Sequence, residues 1–233
     1  MLSKNFPFLF IFLFILSCAN EKSATISSLP ITKNPHPEPL PPPIKVSPPI
    51  DFDTLKWVEL NRLMPDILID LKYATTDNFV KEQMYECPRA FLRPKAAKAL
   101  LKVQEELIEQ GFNLKIFDAY RPRPVQQRLW DKVPDRRYVA PPAKGSMHNR
   151  GAAVDLTLVD EEGNELEMGT AYDYFGREAW PEYQDLPEEV LKNRLILRKA
   201  MLKHGFNPTR SEWWHYSING TGFGLSDWEW ACF

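Results

Sequence analysis

The chain has 233 residues and a formal net charge of −2, from 29 Lys and Arg against 31 Asp and Glu. So even a balance excludes an electrostatic case for a nucleic-acid partner. Ten of the 21 prolines fall in the first fifty residues, so the packed core must come from the remainder, which holds all seven tryptophans and has the size of one ordinary domain.

Lys4 precedes an apolar run from Phe6 to Leu16, followed by Ser17-Cys18. A basic start, about a dozen apolar residues and small residues at a cut site read as a secretory signal over residues 1–17. The run is shorter than the roughly 20 apolar residues that span a bilayer. Ile15-Leu16-Ser17-Cys18 resembles a bacterial lipoprotein box, which implies lipidation at Cys18; simple secretion is the alternative. Residues 18–50 read as a lipidated N-terminus and Pro-rich linker, in which Pro30 to Pro49, with Pro41-Pro42-Pro43 and Pro48-Pro49, form an extended spacer reaching on the order of 60 Å at ~3.1 Å per residue. The expected location is therefore exported, anchored through an N-terminal lipid in the bacterial cell envelope (periplasm or outer membrane). Residues 51–233 form the expected folded domain.

Within it, Ile67, Ile69, Leu71 and Tyr73 alternate, as on one face of a strand. Pro94 to Gln110 reads as a helix, with proline in its first turn and Gly111 at its stop. Leu114 to Tyr120 reads as a buried strand, broken by Arg121-Pro122, and Pro124 to Asp131 as a brief helix. Lys132 to Met147 is a loop. Ala153 to Leu158 is a strand running into a turn at Glu162-Gly163-Asn164, as in a hairpin. Pro187 to His204 is a second long helix with Leu191, Leu195 and Leu202 among its apolar positions, and Glu212 to Ile218 is a final strand. This mixed order lacks a βαβ rhythm and indicates α+β: a single domain with a central antiparallel sheet flanked by helices. Apart from Cys18 the cysteines are Cys87 and Cys232. An exported compartment permits a bridge between them; two unpaired buried thiols are the alternative.

Chemistry concentrates in two runs, Ser146-Met147-His148-Asn149-Arg150-Gly151-Ala152-Ala153-Val154-Asp155 and Glu212-Trp213-Trp214-His215. Two imidazoles and a carboxylate suit a zinc ion that keeps its fourth position open, and Glu212 suits a general base. On the strand, Ala153, Asp155 and Thr157 share one face and Val154, Leu156 and Leu158 the other. A mid-strand carboxylate is costly unless it is paired or metal-bound. Gly151 lets the chain turn so that His148 folds back toward Asp155. Glu212 and His215 would face opposite ways on a regular strand, so the chain must bend near Trp213. His204, at a helix end, reads as a terminal charge.

These runs have the forms S-x-H-x-x-G-x-A-x-D and E-x-W-H, and together they resemble the zinc D-alanyl-D-alanine dipeptidases of the M15 peptidase family. Three further segments extend the resemblance over most of the folded part. They are Lys72-Tyr73-Ala74-Thr75-Thr76-Asp77-Asn78-Phe79, Asp118-Ala119-Tyr120-Arg121-Pro122, and Met168-Gly169-Thr170 through Asp173-Tyr174-Phe175. Ala119 stands where the family has glycine, and Tyr172 and Tyr174 where it has phenylalanine; these departures are expected to alter packing alone. The resemblance implies a D,D-peptidase-like (hedgehog-type) zinc fold with one zinc held by His148, Asp155 and His215. It implies Glu212 as base and then proton donor, and Arg121 as stabiliser of the oxyanion. Asp173, helped by Tyr73 and Ser146, would bind the free ammonium of D-Ala-D-Ala or a related peptidoglycan-derived peptide. Two alternatives stay open: a D,D-carboxypeptidase or peptidoglycan endopeptidase, and a non-catalytic zinc lipoprotein that only binds wall peptides.

Overall fold

The computed structural model describes residues 57–218 and 222–232, within a compact unit spanning Pro48–Phe233. The expected signal, lipidation site Cys18, proline spacer and His36 lie outside the described residues. In chain order the elements are β1 (Val58–Glu59), α1 (Leu60–Leu63), β2 (Leu68–Ile69), β3 (Phe91–Leu92), α2 (Pro94–Ile108), β4 (Asn113–Asp118), α3 (Arg123–Lys132), β5 (Ala153–Val159), α4 (Glu188–Lys203), β6 (Asn207–Pro208) and β7 (His215–Ser217). Short 3-10 turns form at Lys72–Ala74, His148–Arg150 and Arg177–Ala179. Among the described residues, no helix is long and apolar enough to cross a membrane.

The main sheet has the order β2-β4-β5-β7-β6. Every pairing is antiparallel except β2 with β4, which is parallel. β5 is the middle strand and is buried along its whole length. Val154, Leu156 and Leu158 enter the main core, leaving Ala153, Asp155 and Thr157 for the opposite face, as the alternation requires. α2 buries Ala96, Ala97, Leu100, Val103 and Leu107, the spacing of one helical face. It packs on β4 and α4, and α4 packs on β5.

Three elements differ from the expectation. The strand beginning at Ile67 keeps only Leu68–Ile69, and Tyr73 lies in a 3-10 turn. The hairpin after β5 reduces to one bridge, Val159 with Glu165. On α4, Leu195 and Leu202 are exposed and Leu191 is half-buried. The buried face carries Val190, Asn193, Arg194, Leu197, Ala200 and Met201. Its polar members are there to hold a loop: Arg194 donates to the carbonyls of Met168 (2.7 Å), Glu178 (2.9 Å) and Trp180 (3.3 Å), and Asn193 to that of Glu167 (3.0 Å). The loop so pinned carries Tyr172 and Asp173. His204 caps the end of α4, as expected, and pairs with Glu106 at 2.7 Å.

Cys87 and Cys232 form a disulfide, which excludes the free-thiol alternative. It fastens the C-terminal segment beside β3. There Trp228 and Trp230 pack on Phe91, and Trp228 stacks on Trp57.

Candidate active site

Three strands bring the site together. Asp155 on β5 is the register partner of His215 on β7, and on its other side of Asp118 on β4. The last pairing depends on a bulge between Ile116 and Asp118. Ile116 opposes Leu156, so the extra residue Phe117 shifts Asp118 level with Asp155 and turns it to the cleft face.

His148 arrives from the turn before β5. Gly151 ends that turn at φ +65°, and a Cβ there would stand 2.2 Å from the Trp57 ring, so only glycine fits. The Arg121 amide donates to the His148 carbonyl at 3.2 Å, and the Asn149 side chain to the Arg121 carbonyl at 2.8 Å. The bend required near Trp213 is present: residues 213–214 form a turn, with the His215 amide 3.4 Å from the Glu212 carbonyl. Consequently β7 starts at His215 rather than Glu212, and both side chains reach the cleft.

The donor atoms His148 Nε2, His215 Nδ1 and Asp155 Oδ1 form a triangle. His215 Nδ1 is 2.9 Å from Asp155 Oδ1 and 3.0 Å from His148 Nε2, and His148 Nε2 is 3.3 Å from Asp155 Oδ1. Zinc bonds of ~2.0–2.1 Å at tetrahedral angles separate ligands by about 3.3 Å, so the donor set fits that ion. His148 Nδ1 lies 2.7 Å from the Ala119 carbonyl oxygen, which can only accept. Neutral His148 therefore carries its proton on Nδ1 and turns a bare Nε2 toward the other two donors. Burial works against the Asp155 charge, but His148 and His215 hold its carboxyl well below the usual range.

Glu212 stands beside the triangle, its Oε2 4.0 Å from His215 Nδ1, with 28% of its side chain exposed. Burial raises its carboxyl above the ordinary value, Asp155 adds to the rise, and the two histidines and Arg121 oppose it. A carboxyl raised in this way is suited to proton exchange.

Arg121 is buried. Its Nε and one terminal nitrogen donate to Asp118 Oδ2 at 3.0 and 2.6 Å, and the other terminal nitrogen donates to Gln126 at 3.0 Å. Asp118 Oδ1 accepts from Tyr85 at 2.7 Å. Three of the five guanidinium donors are thus committed, which orients the fork and leaves two N–H groups for a ligand. The guanidinium also sits over the Tyr73 ring at 4.8 Å.

Asp173, in a left-handed conformation at φ +57°, accepts from the Tyr73 hydroxyl at 3.2 Å. It keeps partial solvent access. Burial, then Asp155 and Glu212, push its carboxyl well above the usual range, against the pull of Arg121 and the Tyr73 hydrogen bond. Ser146 lines the same cleft, but its hydroxyl donates to Asn149 Oδ1 at 3.1 Å. The cleft of about 190 Å³ is lined by the three triangle residues together with Glu212, Arg121, Asp173, Tyr73 and Ser146, and it is smaller than the ~300–1,000 Å³ typical for drug-sized ligands.

Four participants went unread in the sequence: Asp118, Tyr85, Gln126 and Tyr172. Asp118 left a signal, as a carboxylate ending a buried strand three residues before Arg121. Tyr172 corrects an expectation: its hydroxyl donates to Asp155 Oδ2 at 3.0 Å, so this tyrosine does more than alter packing.

Residues 53–231 match the M15 peptidase family model, described as D-ala-D-ala dipeptidase. The D-alanyl-D-alanine dipeptidase of Escherichia coli (strain K12) is 40% identical over 166 residues, covering 71% of this chain and 86% of that protein. The D-alanyl-D-alanine dipeptidase of Streptomyces coelicolor is 34% identical over 183 residues, covering 68% and 89%. A solved structure of the vancomycin resistance D,D-dipeptidase VanXYg with a D-Ala-D-Ala phosphinate analog is 17% identical. It covers 70% of this chain and 67% of that one, with a TM-score of 0.38.

Proposed function

Because the chain belongs to the M15 peptidase family of D-alanyl-D-alanine dipeptidases, we propose that it hydrolyses free D-alanyl-D-alanine to D-alanine in a zinc-dependent reaction at the cell envelope. The observation that carries this reading is the triangle of His148, Asp155 and His215 donors, set beside Glu212 and Arg121 in one small cleft. Zinc held by these three residues would supply Lewis acidity and lower the pKa of a water at the position they leave open.

The chain's own groups divide the remaining work. Glu212 accepts the proton of the attacking water and passes it to the amine that leaves as the peptide C–N bond breaks. The two free N–H groups of Arg121 face the negative charge that develops on the carbonyl oxygen, from a fork already oriented by Asp118 and so needing little reorganisation. Asp173 pairs with the ammonium of the first residue, with Tyr73 steadying its carboxylate. An ammonium arriving there relieves the crowding of Asp173 by Asp155 and Glu212, which favours a short substrate with a free amine. The Cys87–Cys232 bridge supports an exported location, since such bridges persist in oxidising compartments. Anchoring through Cys18 rests on the lipoprotein-box pattern.

The test is to incubate the purified protein with D-Ala-D-Ala, L-Ala-L-Ala and a pentapeptide ending in D-Ala-D-Ala. Each is assayed as purified, after chelation, and after zinc is returned. Only D-Ala-D-Ala should be cleaved efficiently, with activity lost on chelation and regained with zinc. Full activity in rigorously metal-free protein refutes the zinc reading. Equal cleavage of the pentapeptide makes the protein a carboxypeptidase or endopeptidase, and binding without cleavage makes it a wall-peptide receptor.

A further inference from the structure

Asp155 offers its two oxygens to different partners. Oδ1 lies within 3.3 Å of both histidine donor atoms, whereas Oδ2 accepts the Tyr172 hydroxyl at 3.0 Å. The carboxylate is almost fully buried, so water is a poor substitute for that hydroxyl. The tyrosine is held from three sides: its ring centroid is 5.1 Å from Phe117, 5.4 Å from Trp214 and 6.3 Å from Tyr73. The loop that carries it is tied to α4 by Arg194 through the Met168 carbonyl. The hydroxyl therefore has a fixed place.

We propose that Tyr172 is a positioning residue that holds Asp155 as a one-oxygen metal ligand, keeping the second oxygen turned away and the remaining coordination position free. This rests on the zinc reading above. A carboxylate can bind through one oxygen or two, and the choice follows from what the second oxygen meets. With the hydroxyl in place, rotating Oδ2 toward the two imidazole donors breaks a buried hydrogen bond. Without it, Oδ2 either stays buried and unpaired or swings inward and occupies the position that the water needs.

Tyr172→Phe removes the hydroxyl and keeps the ring that packs on Phe117 and Trp214. Zinc affinity of the wild-type and Y172F proteins is measured by competition with a chromophoric chelator, and the cobalt(II)-substituted forms are compared by visible absorption. Y172F should bind zinc about 10- to 100-fold more weakly, the usual scale for loss of a partner behind a metal ligand. Its cobalt form should lose intensity, as a four-coordinate site does on gaining a ligand. Affinity within twofold of wild type together with an unchanged cobalt spectrum overturns the proposal, whatever happens to thermal stability. A wild-type protein that binds no zinc refutes the metal reading and this inference with it. Zinc binding by the wild type, with Y172F matching it in both affinity and cobalt spectrum, refutes only the role of Tyr172.

Discussion

Replacing the substrate's ammonium by a hydroxyl, as in D-lactyl-D-alanine, removes a charge at Asp173 while adding no bulk. A hydrogen bond to a charged group contributes about 1.5–3 kcal/mol. Breaking a fully sealed pair costs more, ~3–5 kcal/mol, but Asp173 keeps partial solvent access and the smaller range applies. At 1.4 kcal/mol per factor of ten, kcat/KM should fall by about 10- to 150-fold. N-acetyl-D-Ala-D-Ala should fall further, because its added atoms must also fit the cleft. The informative protein variant is Asp173→Asn. Asn tolerates φ +57°, which alanine does so poorly that backbone strain would blur the result. In D173N the gap between ammonium and hydroxyl substrates should nearly close. A second readout follows from the raised folded-state pKa of Asp173, caused first by burial. Below the unfolded value of ~3.9 both states are protonated and the residue adds no penalty. As pH rises toward and through the folded value, the unfolded state ionises first and the native state loses stability. D173N should therefore match the wild type at low pH and grow more stable than it as pH increases, followed by urea midpoints. A hydroxyl-for-ammonium loss below about threefold, or one that survives unchanged in D173N, refutes the assignment.

Glu212→Gln keeps size and removes basicity, so it should retain zinc and D-Ala-D-Ala binding by calorimetry yet lose at least ~10²-fold in kcat; wild-type turnover in E212Q would move the base elsewhere. The Cys87–Cys232 bridge spans 145 residues in sequence, for which loop-closure entropy gives about 5 kcal/mol. Cys87→Ser should lower unfolding stability in guanidinium by roughly 2–5 kcal/mol, and a change under ~0.5 kcal/mol would mean that the docked Trp228 and Trp230 hold the C-terminal segment unaided.

The convergence of the candidate donors was legible in the chain because they sit in short, ordered runs. His148, Gly151 and Asp155 need only a turn and a strand to converge, and Glu212 with His215 needs one bend. The core face of β5 was legible for a similar reason, since alternation on a central strand leaves one orientation that buries Val154, Leu156 and Leu158 together. What sequence order does not carry is register between distant strands. Asp118 reaches the cleft face only because Phe117 bulges out of β4, and a bulge is defined by the partner strand. The buried side of α4 was hidden because Asn193 and Arg194 occupy it. Their burial is tolerable only once the carbonyls of Glu167, Met168, Glu178 and Trp180 arrive to accept from them. Tyr172 is the same case at the site itself: as a residue type it reads as one more aromatic ring, and its hydroxyl acquires a role only where the folded loop sets it against Asp155.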